Sequence, residues 1–203
     1  MATKRDIRHR LRNHRRRIPN AYRRRAGLRL RDEVLRLVET RGLQRVAAYL
    51  DADGEAPTGP ALAALRRRGA AVYLPALRRR GRCMAFRRWL PGAPLRPNRY
   101  GVPEPPPGLA AELPVRELDL VLAPLVAFDS AGRRLGMGGG FYDATFARVR
   151  RSPWHPPLIV GLAFSCQRVA ALPGEPWDLP LDGVITERGY VSLPLRTHRQ
   201  EGA

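Results

Sequence analysis

A run of glycines between an apolar segment and a helical pattern constrains the fold of this chain more than any other feature. Gly136 and Gly138–Gly140 place four glycines within five positions. They follow residues 118–123, the most apolar strand candidate, and precede a helix predicted over 141–151. Glycines at a strand-to-helix junction allow positive backbone dihedrals and close approach of a ligand. The junction therefore predicts an α/β fold with a ligand site at this loop.

The rest of the chain alternates in the same way. Hydrophobic periodicity predicts helices over 4–18, 21–40, 58–68 and 167–172, and strands over 46–50, 71–75, 83–89, 158–164 and 183–186. Such alternation predicts a three-layer fold, with an open, mainly parallel sheet, helices on both faces and two helices at the N-terminus. Residues 90–108 are rich in Pro and Gly and are predicted to form a loop.

Local signals set the ends of the first two helices. Thr3 is the expected N-cap, Asp6 lies in the first turn, Pro19 ends the first helix and Gly42 ends the second. Ile7, Leu11 and Ile18 are predicted to form the buried face of the first helix, with His14 filling the gap between them.

Length and cysteine content restrict the class of protein. We expect residues 1–195 of the 203 to form a single domain and residues 196–203 to be a frayed tail. Cys83 and Cys166 form no CxxC pair, which favours a reducing compartment and a cytoplasmic location. The longest apolar run, 118–128, is too short for a membrane span and contains Asp119 and Pro124.

The formal net charge of +19 suggests nucleic-acid binding, as in a basic RNA-binding or ribosome-associated protein. However, 36 of the 37 basic residues are Arg, and Ala, Gly and Pro are also abundant, as expected from a GC-rich genome. The charge by itself therefore indicates only affinity for anions. Lys4 is the single lysine, and its position either requires a compact ammonium or has no special role.

The residues beside the glycines carry functional groups. Arg134 offers a forked donor for phosphate oxygens, and Asp143 can cap amides or bind a divalent cation. The segment is not a P-loop, because no Gly-Lys-Ser/Thr is present, and Phe141 stands where a dinucleotide fingerprint needs glycine. A plain flexible turn remains the alternative interpretation of the glycines alone.

The whole segment, Arg134-Leu-Gly-Met-Gly-Gly-Gly-Phe-Tyr-Asp143, resembles the signature of the 5-formyltetrahydrofolate cyclo-ligases. Phe128-Asp129 and Gly132 fit the same pattern. Lys4-Arg-Asp-Ile-Arg8 resembles the basic N-terminal helix of that family, and Tyr100-Gly-Val-Pro-Glu104 its central loop. Trp177-Asp178 and Leu181-Asp182-Gly-Val-Ile-Thr186 resemble its C-terminal motif. The motifs occur in the family's order over nearly the whole chain.

The resemblance implies roles for particular residues. Arg134 and Lys4 would be catalytic, and Asp143 and Asp182 would hold Mg²⁺. The implied ATP contacts are Lys4, Arg5, Asp6, Ile7, Arg8, Arg134, Leu135, Gly136, Met137, Gly138, Gly139, Gly140, Phe141 and Tyr142. The implied folate contacts are Leu50, Glu55, Tyr100, Met137, Gly138, Gly139, Gly140 and Phe141, with Glu55 facing the pterin.

The resemblance also implies a reaction, in which ATP drives cyclisation of 5-formyltetrahydrofolate to 5,10-methenyltetrahydrofolate and yields ADP and phosphate. The expected partner is a reduced folate, with or without a polyglutamate tail, and the expected state is a monomer that needs no nucleic acid or membrane. Two positions depart from the pattern. Gly139 stands where some members have Lys, and Phe141 stands where many have Tyr.

Overall fold

The computed structural model describes residues 3–108, 111–147, 149 and 156–194. The helices are α1 (Lys4–Arg16), α2 (Asn20–Thr40), α3 (Gly59–Arg67) and α4 (Phe141–Phe146). The strands are β1 (Arg45–Ala47), β2 (Ala71–Leu77), β3 (Met84–Arg88), β4 (Arg96–Pro97), β5 (Pro103–Glu104), β6 (Glu112–Leu113), β7 (Leu120–Pro124), β8 (Ala127–Phe128), β9 (Arg134–Leu135), β10 (Leu158–Leu162), β11 (Gly183–Thr186) and β12 (Gly189–Ser192). Within these ranges, no helix has the length and apolar character needed to cross a membrane.

Eight strands form one sheet in the order β12-β11-β10-β7-β1-β2-β3-β6. The five central strands, from β11 to β2, are parallel, whereas β12, β3 and β6 pair antiparallel at the edges. From β1 the chain moves outward to β2 and then returns to β7 on the other side of β1. The strand order therefore reverses between β1 and β7, which is where open α/β sheets bind ligands.

The central strands are buried on both faces, so successive residues enter different clusters. Leu120 and Leu122 pack with α2 and α3 on one face. Val121 and Ala123 pack on the other face against Phe146 of α4 and against Leu179 and Leu181 of the C-terminal segment, residues 175–194. The three-layer α/β fold predicted from the alternating pattern is confirmed.

The residues predicted to begin and end the first two helices lie at those helix ends. Thr3 and Asp6 form a capping box at the start of α1, Pro19 is the N-cap of α2, and Gly42 follows α2 with a φ of 62°. The buried face of α1, however, consists of Ile7, Leu11 and Arg15, not His14. Ile18 lies beyond the end of α1 and packs, partly buried, against the cluster of α2 and α3. The prediction for His14 was wrong because the four-residue spacing of an α-helix brings position 15 onto that face, whatever its polarity.

Three further predictions need correction. The helix predicted over 167–172 is absent. A 3-10 turn at Ser165–Gln167 replaces it, since the Gln167 side chain donates to the carbonyl oxygens of Leu125 and Val126 and Arg168 bridges to Phe128. The 90–108 loop contains the small β4–β5 ribbon, and the glycine-rich region begins with a β8–β9 hairpin. Part of the helix predicted over 141–151 and the predicted tail lie outside the described residues.

Candidate active site

Two segments follow the carboxyl ends of β1 and β7 at the point where the strand order reverses, namely the 51–57 loop after β1 and, after β7, the β8–β9 hairpin with the loop that follows it. The first, the 51–57 loop, is held by Arg23, whose guanidinium donates to the carbonyl oxygens of Gly54 at 2.8 Å and Glu55 at 2.6 Å. At its start, Asp51 Oδ1 accepts hydrogen bonds from the amide and hydroxyl of Thr58 at 3.0 Å. The loop is thus tied to α2 and α3 and presents Glu55 in a fixed position.

The second is the glycine loop, residues 136–140, which connects β9 to α4. Gly138 has a φ of 103° and Gly140 a φ of 66°, conformations that side chains rarely adopt. A Cβ at Gly139 would lie 2.8 Å from the Phe141 ring, so a side chain at this position would require that ring to move. Arg8 of α1 donates from Nε to the Gly136 carbonyl at 2.8 Å. The first helix therefore packs directly on this loop.

Arg134 and Asp143, which flank the glycine loop in sequence, form an ion pair across it. Arg134 Nη2 lies 2.5 Å from Asp143 Oδ1, and the Arg134 side chain is only 5% exposed. The same carboxylate oxygen accepts the Leu179 amide at 2.9 Å. Arg134 Nε is buried and has no hydrogen-bond partner in the described part of the chain. An unpaired donor on a buried cation is unfavourable unless a ligand satisfies it.

Lys4 reaches the same region through the C-terminal segment. Its ammonium lies 3.1 Å from Asp178 Oδ2 and 3.8 Å from Glu175 Oε1. The residue after Asp178 is Leu179, whose amide contacts Asp143. Residues 175–179 therefore connect the two predicted catalytic cations, Lys4 and Arg134, which are 130 positions apart in the sequence.

The other predicted N-terminal ATP contacts are arranged differently. Ile7 is 6% exposed and packs in an apolar cluster with Leu11, Val126 and Leu135. The Asp6 carboxylate is occupied by the capping box, and Arg5 is exposed. Of the segment from Lys4 to Arg8, only Lys4 and Arg8 place their charged groups against the glycine loop and the C-terminal segment.

Glu55 is the most buried carboxylate of the 51–57 loop, with a side chain 13% exposed. Its Oε2 accepts the Ala52 amide at 3.2 Å, and its Oε1 lies 3.8 Å from the Arg15 guanidinium. Burial raises the pKa of Glu55 above its ordinary value, although the Ala52 hydrogen bond and Arg15 oppose the change. Burial likewise raises the pKa of Tyr142 in α4, and the charge of Glu55 adds to that rise.

Aromatic and apolar side chains complete the site. The half-buried Leu50 precedes the 51–57 loop and packs against the core. Tyr100, from the loop between β4 and β5, meets the Phe141 ring edge-on at a centroid distance of 6.0 Å. Met137 is 49% exposed on the glycine loop. The loops that carry Tyr100 and Met137 therefore border a common surface beside Phe141.

The two predicted magnesium ligands differ in their surroundings. Asp143 is 24% exposed, and its Oδ2 accepts no hydrogen bond from the described residues, so this oxygen suits a cation that also binds phosphate. Asp182 is 5% exposed, and its Oδ2 accepts the Ile159 amide at 2.7 Å. Asp182 precedes β11 and Ile159 lies near the start of β10, so Asp182 is at the amino edge of the parallel strands, away from the switch point. In the described ranges, no three His, Cys, Asp or Glu side chains form a metal-binding group.

Two residues of the site were not predicted from the sequence. Arg15 is fully buried between the two loops. The Asp53 carboxylate binds Arg12, Arg15 and Arg16, and the Asp53 φ of 49° is unusual for a residue other than glycine. The spacing of Ile7, Leu11 and Arg15 was the one available signal, since it marks position 15 as buried.

The sheet and the site together define an open α/β protein in which a glycine loop, two cations and a buried carboxylate meet at the topological switch point. The sequence profile of the 5-formyltetrahydrofolate cyclo-ligase family matches residues 1–187. The chain belongs to this family of ligases.

Individual relatives agree with this assignment. A 5-formyltetrahydrofolate cyclo-ligase from Haemophilus influenzae is 41% identical over 152 residues, covering 74% of this chain and 80% of the relative. The Escherichia coli protein of the same name is 43% identical over 142 residues, covering 70% of this chain and 76% of the relative. The solved structure of Aquifex aeolicus 5,10-methenyltetrahydrofolate synthetase superposes with a TM-score of 0.77 at 28% identity, over 98% of this chain and 96% of the other.

Proposed function

We propose that the protein converts 5-formyltetrahydrofolate to 5,10-methenyltetrahydrofolate, with ATP as the phosphoryl donor. One observation carries the proposal beyond family membership. Arg8 contacts the glycine loop, Arg134 flanks it, and Lys4 is joined to Arg134 through residues 175–179. The 51–57 loop reaches the glycine loop through Arg15, which lies 3.8 Å from Glu55 and 3.9 Å from the sulfur of Met137. A triphosphate and a pterin would therefore meet at one loop, as a transfer between them requires.

The chemistry needs a leaving group, because ring closure expels the formyl oxygen and hydroxide leaves poorly. Transfer of the γ-phosphoryl group from ATP to that oxygen gives an imidate phosphate and ADP. The neighbouring nitrogen, N10, then attacks the formyl carbon, its proton passes to solvent, and inorganic phosphate departs. Phosphoryl transfer of this kind depends on positioning and charge stabilisation more than on a protein nucleophile.

Each group of the site has a part in this scheme. Arg134 and Lys4 stabilise charge on the transferring phosphoryl group, and the glycine-loop amides approach the phosphates. In the present arrangement, both cations are paired with carboxylates, Arg134 with Asp143 and Lys4 with Asp178. Phosphate oxygens would replace those carboxylates. Glu55 accepts hydrogen bonds from the N–H groups of the pterin, beside the apolar Leu50.

Magnesium fits this scheme through Asp143, whose Oδ2 accepts no hydrogen bond from the described residues and whose Oδ1 would leave its ion pair once phosphate binds Arg134. When bound, the ion neutralises phosphate charge, and one or two carboxylates commonly hold it together with substrate oxygens. Asp182 stays a predicted ligand, but its carboxylate is committed to the Ile159 amide.

The formation of methenyltetrahydrofolate tests the proposed reaction directly, because this product has a distinct absorbance. We expect absorbance to rise only when ATP, Mg²⁺ and 5-formyltetrahydrofolate are all present, with one ADP formed per product. Omission of each component in turn is the control. Product formation without ATP, or ATP hydrolysis that does not depend on the folate, would contradict the proposal.

The anionic end of the substrate has a candidate partner in the arginine hairpin, residues 78–82, which connects β2 to β3. Arg99 donates to the carbonyl oxygens of Arg78 and Arg79, and Arg82 approaches Gly140 of the glycine loop. Arg79, Arg80, Arg82 and Arg99 are exposed, and no carboxylate of the described residues lies within ion-pair distance of them. We infer that these arginines attract the carboxylates of a polyglutamate tail.

Replacing Arg79 and Arg80 together with serine should raise the KM for a polyglutamylated substrate about twofold to thirtyfold, since each exposed ion pair contributes about 0.2–1 kcal/mol. The KM for the monoglutamate should change little, and added salt should reduce the difference. Arg24→Ser with Arg25→Ser, at exposed positions of α2, removes the same charge elsewhere and is the matched control. An equal effect of both pairs, or an increased KM for ATP, would contradict the assignment.

A monomeric state, a cytoplasmic location and the absence of a nucleic-acid partner stay predictions from the sequence. The arginine-rich surface that suggested nucleic-acid binding is compatible with the proposed reaction, because both ATP and folate are anions.

A further inference from the structure

Arg15 is 0% exposed and is the largest fully buried side chain among the described residues. Arginine is rarely buried to this extent, because removing its charge from water is unfavourable unless close partners compensate. Arg15 follows Ile7 and Leu11 on the buried face of α1, where an apolar side chain would continue the pattern. Packing of α1 against its neighbours therefore does not explain why an arginine occupies this position.

The guanidinium contacts three separate parts of the site. Its Nε donates to the Asp53 carbonyl at 3.0 Å, and its Nη2 lies 3.2 Å from the Asp53 carboxylate and 3.8 Å from that of Glu55. Its Nη1 donates to the Leu125 carbonyl, just beyond β7, at 3.3 Å. Its Nη2 also lies 3.9 Å from the sulfur of Met137 in the glycine loop.

Neutralising Asp53 does not require Arg15. Arg12 and Arg16 also bind the Asp53 carboxylate, and their side chains are 34% and 51% exposed. These two arginines contact neither Leu125 nor the glycine loop through a described hydrogen bond. What distinguishes Arg15 is that one planar, forked group spans the 51–57 loop, the end of β7 and the glycine loop.

We propose that Arg15 is a positioning residue that fixes the folate-binding 51–57 loop against the nucleotide-binding glycine loop. Because the Arg15 side chain is fully buried, it would act through its contacts with Asp53, Glu55 and Met137. The inference rests on the proposed function, since it assumes that these two loops bind folate and ATP. A ligand that orders one of these loops also orders the other loop through Arg15. Each ligand should therefore strengthen the binding of the other ligand.

Calorimetric titration of adenylyl imidodiphosphate with Mg²⁺, with and without 5-formyltetrahydrofolate, measures this coupling. In the wild-type protein we expect the folate to strengthen binding of the nucleotide analogue about fivefold or more, within the usual range for coupled sites. In Arg15→Met, both ligands should still bind, but the ratio of the Kd of the nucleotide analogue without folate to its Kd with folate should fall to about one. Arg15→Lys, which keeps the charge without the fork, should restore only part of it.

Arg16→Met is the matched control, because it removes a contact to the same carboxylate and should keep the wild-type ratio. Wild-type coupling in Arg15→Met, equal loss in Arg16→Met, or absence of coupling in the wild-type protein would overturn the proposal. Failure of both Arg15 variants to fold would also overturn it, since the residue would then serve the fold alone. If the wild-type protein bound neither ligand, the proposed function itself would fail, and this outcome is distinct from an unchanged ratio.

Discussion

Replacing Arg134 with alanine should lower kcat/KM by about 10²- to 10³-fold, the usual loss when one preorganised electrostatic donor is removed from an active site. The Arg134 side chain is 5% exposed beside the glycine loop, and its Nε has no partner among the described residues. A donor in such a site stabilises developing phosphoryl charge more strongly than one in water. The fall should appear mainly in kcat, because the charge develops in the transition state.

The Arg134→Ala variant should still fold. Its partner Asp143 is 24% exposed, can be hydrated and keeps the hydrogen bond from the Leu179 amide. Thermal unfolding should therefore show at most a small decrease in Tm, while product absorbance shows the loss of turnover. Arg116→Ala is the control, since that side chain is 74% exposed in the turn before β7, at the opposite end of the strands. Wild-type turnover by Arg134→Ala would rule out its catalytic role.

Glu55→Gln should lower kcat/KM for the folate by about 10- to 100-fold, because hydrogen bonds to a charged group contribute about 1.5–3 kcal/mol. The effect should lie mainly in the KM for folate and not in the KM for ATP, because Glu55 belongs to the 51–57 loop, which we propose binds the folate. The same substitution should stabilise the fold at neutral pH. Loss of substrate binding together with increased stability is typical of a residue retained for function.

The stabilisation follows from the raised pKa of Glu55, which is caused mainly by burial. A carboxyl group whose pKa is higher in the folded state than in the unfolded chain favours folding while it is protonated. That contribution is complete below the unfolded-state pKa and is lost as pH rises through the folded-state pKa. Glutamine does not titrate and can accept the Ala52 hydrogen bond, so the advantage of Glu55→Gln should grow with pH and then level off.

Denaturant unfolding of both proteins across the acid to neutral range measures this difference. Glu39→Gln is a suitable control, because Glu39 is 57% exposed at the end of α2 and should produce no comparable pH-dependent gain. A wild-type protein that is more stable than Glu55→Gln at neutral pH would contradict the assigned effect of burial. An unchanged KM for folate would separately contradict the pterin contact.

Much of the fold was predictable because its signals are local. Strand-forming apolar runs, the Thr3 cap, Pro19 and Gly42 act through contacts a few residues away in the chain. The glycine loop was predictable for a similar reason, since the positive φ values of Gly138 and Gly140 are a backbone property of those positions. Family motifs added the expectation that Lys4, Glu55 and Arg134 belong to one site.

The features that were predicted wrongly or were not predicted depend on contacts between segments that are distant in the sequence. Residues 167–172 have a weak helical pattern, but the hydrogen bonds of Gln167 to Leu125 and Val126 hold the chain in another conformation. The short edge strands β6 and β12 depend on neighbours that the sequence does not identify.

The amino-acid sequence by itself therefore determined the alternating α/β layers, the helix ends, the flexible glycine turn and the family. Tertiary structure alone decided that Arg134 pairs with Asp143, that Lys4 meets Asp178, and that Arg15 is buried between two loops. The physical reason is that burial and ion pairing depend on which segments approach in space. A charged side chain looks the same in sequence whether it faces water or joins two parts of an active site.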